Sequence, residues 1–153
     1  MNITLVPIEN NEYDDLRNML LDYYSEIADY EIDIENSEDL RDRSFAAMLN
    51  DMEGRELIWI EANSERAGFI IVRSLADWPH EERMIASIAE FFVDPAYRRR
   101  GIGSQAVEIL LANHRNRGTY LVEADILHLN EPAKAFWYGL GFELQFLQTG
   151  RKP

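Results

Sequence analysis

Three consecutive arginines followed by two glycines are the residues of this chain best suited to chemistry. The arginines occupy positions 98–100, Gly101 and Gly103 follow, and an apolar pattern of helical spacing begins at Ile102. The first turn of a helix leaves backbone N–H groups unpaired and carries a partial positive charge. Glycine lets a backbone close around an anion, and guanidinium groups add charge and paired donors. The segment therefore predicts a site for an anion, most simply a phosphate.

The glycine spacing separates this segment from two other phosphate-binding loops. No further glycine follows Gly103 at the spacing of the dinucleotide-binding fingerprint, and no Lys-Ser/Thr pair ends the loop as it does in a P-loop. A nucleotide-binding protein of either kind is therefore disfavoured. A diphosphate held mainly by backbone amides agrees with the pattern.

The composition limits the class of protein. The 153 residues carry a formal net charge of -13, and 46% of them are hydrophobic, which indicates one globular domain over residues 1–153. No nucleic-acid partner is expected, because such proteins carry a basic face. A cationic substrate is compatible with the charge, although acidity also serves solubility alone.

Some residue types and patterns are absent from the sequence. The chain has no cysteine, which excludes disulfides, thiolate metal ligands and a cysteine nucleophile, and no metal site is expected. No apolar run approaches the roughly 20 residues that span a bilayer, and residues 1–4 lack the basic region of a signal peptide. We therefore expect a cytoplasmic protein with no membrane partner.

Hydrophobic periodicity predicts ten elements in the order β-α-α-β-β-β-α-β-α-β. Antiparallel strands come first and strand-helix-strand units follow, which indicates an α/β (α+β) mixed sheet with helices on both faces. The predicted strands cover residues 3–8, 57–60, 67–72, 85–93, 120–127 and 142–147, with a hairpin turn at 63–66 and a loop at 77–82. The predicted helices cover 13–27, 37–49, 102–117 and 131–140.

Two motifs resemble the GNAT family of N-acetyltransferases. Residues 93–103, Val-Asp-Pro-Ala-Tyr-Arg-Arg-Arg-Gly-Ile-Gly, look like its acetyl-CoA signature, whose core is Gln/Arg-x-x-Gly-x-Gly/Ala. Residues 130–142 match a second element, Asn-x-x-Ala-x-x-Phe-aromatic-x-x-x-Gly-Phe. The resemblance covers essentially the whole chain. It implies a GNAT-like fold, in which a central, mostly antiparallel sheet is flanked by about four helices.

The resemblance also implies acetyl-CoA as the cosubstrate. In the family, loop amides bind the CoA diphosphate, and the strand before the loop pairs with the pantetheine arm like an added strand. Asn130 would contact the arm, and Phe136 would pack against the cofactor or serve as ordinary core. The implied cofactor-binding residues are Phe91, Phe92, Val93, Arg98, Arg99, Arg100, Gly101, Ile102, Gly103, Ser104, Asn130 and Phe136.

The implied reaction is direct transfer of an acetyl group to a primary amine in a ternary complex. The amine must lose a proton before it attacks, so a general base is needed. Glu90 is the first candidate, although strand alternation puts it on the opposite face from Val93 unless a bulge intervenes. A backbone N–H near Val93 would suit the developing oxyanion. The alternative bases are Glu123, Asp125, His80 and His128.

At the position where the family usually has a general acid, this sequence departs from the family pattern. Trp137 stands where a tyrosine is common, and an indole N–H is not a useful acid. Tyr138 lies one residue on, about 100° around the helix, and would substitute only if the helix were rotated or distorted. A CoA thiol is acidic enough to leave without a protein acid.

The acceptor is predicted from residues that flank these motifs. Carboxylates and aromatics suit a cationic amine, such as an aminoglycoside, a polyamine or a peptide amine. A non-catalytic acyl-CoA-binding sensor is the alternative function, and a homodimer is one expected assembly. The predicted acceptor residues are Tyr23, Tyr24, Asp29, Tyr30, Glu31, Asp33, Glu35, Trp78 and His80.

Overall fold

A five-stranded sheet with two helices on each face forms the part of the chain that the computed structural model describes, residues 1–32 and 37–153. The strands are β1 (Ile3–Pro7), β2 (Arg55–Ala62), β3 (Glu65–Asp77), β4 (His80–Val93) and β5 (Leu121–Ala124). The helices are α1 (Tyr13–Ile27), α2 (Glu38–Leu49), α3 (Ile102–Arg117) and α4 (Glu131–Gly139).

The strand order in the sheet is the order in the chain, β1-β2-β3-β4-β5. The first four strands are antiparallel neighbours, and β5 pairs with β4 in parallel after the crossover through α3. Parallel neighbours need such a crossover, whereas antiparallel ones can be joined by tight turns. The predicted mixed and mostly antiparallel sheet is confirmed.

Each face of the sheet carries its own apolar cluster, as alternation along the strands requires. On one face Ile70, Val72 and Ile88 pack with α3 and α4. On the other face Phe69 and Ile71 pack with α1 and α2. The predicted placement of helices on both faces is therefore confirmed.

The predicted helix ends agree with the structure. The Ser37 hydroxyl caps α2 by accepting a hydrogen bond from the Leu40 N–H at 3.1 Å. Gly118 ends α3 with a φ of 79°, in the left-handed region that glycine enters without strain. The residue at the capping position sets each boundary.

The region between β3 and β4 differs from the prediction of a loop over residues 77–82. Both strands extend further than predicted, and only Trp78 and Pro79 lie between Asp77 and His80. The prediction took Pro79 as the end of regular structure, but Pro79 lies in a two-residue turn between paired residues, and a register shift leaves residues 81–83 without partners on β3. The result is a long hairpin that projects from the sheet.

The predicted strand at residues 142–147 is wrong for the described chain, and β5 is shorter than the predicted 120–127. No strand follows α4 in the region that the structure describes. Leu144 and Phe146 are 62% and 74% exposed. Alternating apolar residues indicate a face that can be buried, but they do not specify a partner. This chain's own sheet does not bury the segment.

The helices in the described part of the chain are too short or too polar to span a membrane.

Candidate active site

A β-bulge divides β4 into two parts with different neighbours. Val72 pairs with Ile88 and Ile71 pairs with Glu90, so Ala89 is an extra residue on β4. The parallel pairing with β5 covers residues 85–88 and stops there. Ala89 is exposed although the preceding residue is buried. A bulge bends a strand and ends pairing, so β4 and β5 separate from Ala89 onward.

Past the bulge, β4 has a strand neighbour on one side only. Residues 90–93 remain paired with β3, and no strand of the described chain pairs with their other edge. Unpaired backbone groups on such an edge can bind an extended molecule that carries amides. The pantetheine arm of CoA carries two amides and fits this edge chemically.

Gly68 permits the close pairing that holds this edge in place. It lies opposite Val93 on β3, and an ideal Cβ built on it would lie 2.0 Å from the Phe92 carbonyl oxygen. Any side chain at position 68 would therefore displace the end of β4. This role of Gly68 was not predicted, although a glycine inside an apolar strand is a general signal of close backbone approach.

The arginine-glycine loop turns directly into α3. Arg99 has a φ of 62° and Gly101, the residue before the helix, has a φ of 75°. Left-handed residues alternating with ordinary ones point successive N–H groups toward one side, which makes a concave site for an anion. The N-terminus of the 16-residue helix α3 opens on the same loop. Ile102 is buried in the core, so only its backbone can take part.

The Arg98 side chain is committed to contacts within the protein. Its Nε donates to the Val93 carbonyl oxygen at 2.7 Å, and its Nη2 donates to Glu26 Oε2 at 2.6 Å. These bonds tie the loop to the end of β4 and to α1. Arg99 and Arg100 are exposed at the loop surface. The structure thus gives the three arginines different surroundings.

One wall beside the gap between β4 and β5 is formed by Phe91, Gly103 and Phe136. The rings of Phe91 and Phe136 stack with centroids 5.4 Å apart, and a Cβ on Gly103 would lie 3.4 Å from the nearest Phe91 atom. Phe136 is partly exposed, so its ring serves the core and still borders the site. Phe92 points to the opposite face, where it packs on Tyr23.

The Asn130 side chain caps α4. Its Oδ1 accepts a hydrogen bond from the Ala133 N–H at 3.1 Å. Capping holds the amide group at the start of the helix, with its NH₂ group as the part suited to donate to a ligand. The predicted helix start at this residue is confirmed, and the ligand contact of Asn130 stays a prediction.

Glu90 lies on the face of the sheet that carries α1 and α2, opposite Val93, as strand alternation predicts. It accepts a hydrogen bond from the Tyr23 hydroxyl. Burial raises the pKa of the Glu90 carboxyl, and the Tyr23 hydrogen bond opposes part of that rise. A carboxylate with a raised pKa is a stronger proton acceptor, which suits a general base.

Aromatic and charged side chains surround Glu90 on this face. The Arg41 guanidinium lies 4.1 Å from the centroid of the Tyr24 ring and 3.3 Å from Glu31 Oε1. Burial raises the pKa of Tyr24 to about 12, and burial with the nearby Glu90 raises the pKa of Tyr23 as well. Both phenols therefore stay protonated at neutral pH.

The alternative bases lie in other surroundings. Glu123 on β5 accepts a hydrogen bond of 2.5 Å from the Ser87 hydroxyl across the parallel pair. Asp125, directly after β5, is exposed and its charge contributes to the raised pKa of Glu90. His80 lies at the tip of the β3–β4 hairpin and His128 in the exposed turn before α4. Of these groups, Asp125 is the one electrostatically coupled to Glu90.

The structure places Trp137 in the core and Tyr138 at the surface. The Trp137 side chain is 5% exposed and packs edge-on against Phe142, with centroids 4.9 Å apart. Tyr138 is 46% exposed on the outer side of the regular helix α4. A catalytic role for Tyr138 requires a rotation of α4 that the structure does not show.

The predicted acceptor residues fall into two groups in space. Tyr23, Tyr24 and Glu31 lie around Glu90, whereas Trp78 and His80 lie on the hairpin. Asp29 and Tyr30 belong to a short turn of 3-10 helix after α1, and Asp33 and Glu35 lie outside the described residues. Near the hairpin, a groove of about 330 Å³ is lined by Leu75, Ala76, Asp77, Trp78, Ile85, Ser87, Tyr120, Leu121 and Glu123.

Solved structures share this architecture over nearly the whole chain. A candidate acetyltransferase from Bacillus subtilis matches with a TM-score of 0.80, 18% identity, and coverage of 99% of both chains. An aminoglycoside N-acetyltransferase in complex with CoA matches with a TM-score of 0.72 and 16% identity, over 99% of this chain and 95% of that one. At these identities the similarity shows the fold alone.

This mixed sheet, with helices on both faces, is the fold that these solved acetyltransferase structures share with the chain. The chain belongs to the acetyltransferase (GNAT) family, whose model matches residues 13–142. An uncharacterised N-acetyltransferase of Methanocaldococcus jannaschii is 35% identical over 85 residues, which are 54% of this chain. The match spans 37% of that relative's length.

Proposed function

We propose that this protein transfers an acetyl group from acetyl-CoA to a primary amine. The observation that carries the proposal is the separation of β4 from β5 at Ala89, with the anion loop at one end and Glu90 beside it. The loop and the open strand edge would hold the donor. The raised pKa of Glu90 supports the acceptor half of the reaction.

The donor half uses the backbone more than side chains. Amides of the loop at residues 99–104 and the first turn of α3 would hold the CoA diphosphate. The β4 edge past Ile88 would pair with the pantetheine arm. A backbone N–H near Val93 would donate to the thioester oxygen as negative charge develops there. Arg98 would position this assembly through its bonds to Val93 and Glu26.

The acceptor half uses the face that carries α1 and α2. Glu90 would take the proton of the amine, directly or through one water, and Glu31 and Asp125 add negative potential around it. The Tyr24 ring holds the Arg41 guanidinium 4.1 Å from its centroid, which supports the idea that this face accepts a cation. We therefore propose a cationic amine, in a small molecule or a peptide, as the acceptor.

The absence of cysteine allows a clean test of turnover. Free CoA can be measured with a thiol reagent without background from the protein, because the chain carries no thiol. A panel of aminoglycosides, polyamines and peptides would be incubated with acetyl-CoA, and acetylated products identified by mass spectrometry. We expect thiol release that depends on an amine. If no amine in the panel accelerates release while acetyl-CoA still binds, the transfer proposal fails.

A second function is favoured by one observation, the burial of Trp137 at the position where the family commonly has a tyrosine acid. An acyl-CoA-binding sensor needs the donor half of the site and no acid. The panel separates the two functions, since a sensor binds acetyl-CoA by calorimetry and gives no amine-dependent turnover. Substitution of Asp29 and Glu31 then tests the acceptor, because a cation-binding role predicts a raised KM for the amine.

A further inference from the structure

The anion loop, residues 98–101, is attached to the end of α1 through Arg98. The Arg98 Nη2 donates to Glu26 Oε2 at 2.6 Å, and its Nε donates to the Val93 carbonyl oxygen at 2.7 Å. Both hydrogen bonds come from one planar guanidinium group, so the loop, the end of β4 and α1 are held at a common point. The loop proposed to hold the donor is therefore tied to the helix that borders Glu90.

The same end of α1 carries the phenol that bonds to Glu90. Glu26 follows Tyr23 by three residues, and side chains at that spacing are neighbours on one face of a helix. From this position the Tyr23 hydroxyl donates its hydrogen bond to the Glu90 carboxylate. A shift of the end of α1 would therefore change the geometry of that hydrogen bond.

A second set of contacts joins Arg98 to Tyr23 through Phe92. The Arg98 guanidinium lies 5.4 Å from the centroid of the Phe92 ring. The Phe92 and Tyr23 rings pack edge to face, with centroids 6.0 Å apart. Phe92 is 4% exposed, and a ring packed on all sides moves only with its neighbours. The loop and the phenol are thus connected both along α1 and across the core.

We propose that Glu26 is a positioning residue, which couples the anion loop to the Glu90 base by holding Arg98 against the end of α1. A donor bound to the loop would order it, fix Tyr23 and strengthen the hydrogen bond to Glu90. That bond favours the carboxylate, so the base would be most fully ionised when the donor is in place. The inference rests on the proposed role of Glu90, and a measurement that needs no turnover tests it.

Titration of Glu90 by NMR tests the coupling without any substrate. The side-chain carboxyl signal would be followed with pH and assigned from its loss in Glu90→Gln. Glu26→Ala releases the end of α1 and weakens the Tyr23 hydrogen bond, so it should raise the pKa of Glu90 by roughly half a unit, as an exposed ion pair allows. A direct charge effect has the opposite sign, because removal of a negative charge makes a nearby carboxyl easier to ionise.

The other groups that face Glu90 stay the same in this comparison. They come from α1, the turn after it, α2 and the chain after β5, and they are Tyr23, Tyr24, Glu31, Arg41 and Asp125. Their charges act on Glu90 in both proteins. The difference between the two titrations therefore reports the loss of the Glu26 side chain.

Asp15→Ala is the matched control. Asp15 also lies on α1, and its Oδ2 accepts a hydrogen bond from Arg66 Nη1 at 2.7 Å near the other end of the helix. Both variants break one exposed ion pair and introduce alanine, which favours a helix, so both should fold. The control should leave the pKa of Glu90 unchanged. An unchanged or lowered pKa in Glu26→Ala overturns the proposal.

A double-mutant cycle tests whether the phenol lies between Glu26 and Glu90. Tyr23→Phe removes the hydrogen bond that Glu26 is proposed to adjust. Adding Glu26→Ala to Tyr23→Phe should therefore cause no further rise in the pKa of Glu90. A rise of the same size in both backgrounds would show that Glu26 acts without Tyr23, and that result contradicts the proposal.

Titration with CoA bound tests the link to the loop. The negative charges of CoA raise the pKa of a nearby carboxyl, and they do so equally in the wild type and in Glu26→Ala. We expect CoA to raise the pKa of Glu90 less in the wild type, because only there does the ordered loop strengthen the Tyr23 bond. Equal shifts would contradict the coupling. If CoA does not bind, the proposed acetyl transfer fails, whereas the titrations without ligand still decide the role of Glu26.

Discussion

The Tyr23 hydroxyl donates a hydrogen bond to the Glu90 carboxylate across the interface between α1 and β4. Burial and this hydrogen bond are the two largest influences on the pKa of the carboxyl group, and they oppose each other. Burial favours the neutral acid and raises its pKa, while the hydrogen bond favours the carboxylate and lowers it. Burial is the larger of the two. Glu90 therefore binds a proton more tightly than an exposed glutamate does. The Tyr23 hydroxyl reduces that difference.

Glu90→Gln tests the general base. Glutamine keeps the size and can accept the Tyr23 hydrogen bond, but it cannot take a proton from the amine. We expect kcat to fall by about 100-fold or more, within the range for loss of a general base. The wild type should lose activity as pH falls through the raised pKa of Glu90, and the variant should lack that acidic limb. Asp125→Asn is the matched control. If it removes the limb instead, Asp125 is the base.

Tyr23→Phe tests the role of the hydrogen bond. The bond lowers the pKa of Glu90, so its removal should raise that pKa further and move the acidic limb of kcat/KM to higher pH. At pH values above the limb the variant should approach wild-type activity. Tyr24→Phe removes a neighbouring hydroxyl that makes no such bond, and its profile should match the wild type. An unshifted limb in Tyr23→Phe would show that the phenol does not position this carboxylate.

The ionised Glu90 carboxylate should also lower the free energy of unfolding at neutral pH. Its folded-state pKa lies above the ordinary 4.5, so the folded state favours the protonated form. The stability that this preference contributes is present below the unfolded-state pKa and is lost as pH rises through the folded-state pKa. Glu90→Gln should therefore unfold at a higher temperature than the wild type at pH 8. The gain is about 1.4 kcal/mol for each unit by which the pKa is raised.

Thermal unfolding at several pH values checks this expectation. The difference between wild type and Glu90→Gln should shrink as pH falls toward the raised pKa. Asp125→Asn is again the control, because it removes one carboxylate in the same way at an exposed position. A variant that is less stable than the wild type at pH 8 would mean that the carboxylate is favoured by its surroundings.

Local signals in the sequence predicted the frame of the molecule and the donor loop. The caps at Ser37 and Gly118 and the helical spacing after Gly101 depend on residues within a few positions of each other. The same holds for the alternation that places Glu90 opposite Val93. These features could be predicted because the interactions that produce them are short-range.

Features that depend on distant partners were not predictable in the same way. The bulge at Ala89 exists only in the pairing of β4 with β3, and the role of Gly68 depends on a carbonyl 24 residues further along. The Arg98–Glu26 bond joins two elements with no local relationship. Residues 142–147 show the same limit, since their apolar alternation did not reveal whether this chain supplies a partner strand.

A matched pair of glycine substitutions tests the anion loop. Gly101 has a φ of 75°, a conformation that costs other residues roughly 1–2 kcal/mol. Gly101→Ala should therefore raise the dissociation constant for acetyl-CoA by roughly tenfold, since that factor corresponds to about 1.4 kcal/mol. Gly103 has no such constraint, and its new Cβ would make contacts of 3.4–3.5 Å, so Gly103→Ala should stay near the wild type. Titration of acetyl-CoA by calorimetry checks both. Equal affinities in the two variants would contradict a role for the left-handed turn.

Gly68→Ala tests the close approach that holds the open edge of β4. The added methyl group would lie 2.0 Å from the Phe92 carbonyl oxygen, a backbone atom that can move only with the strand. We expect a loss of about 1–3 kcal/mol in stability, as for other overpacked sites, and weaker acetyl-CoA binding in the molecules that remain folded. Denaturant unfolding and calorimetry measure the two effects. Gly139→Ala in α4 is the control, because its Cβ meets no atom within 4 Å and alanine favours a helix. If Gly68→Ala is as stable as that control and binds acetyl-CoA normally, the β3–β4 spacing at this point does not shape the site.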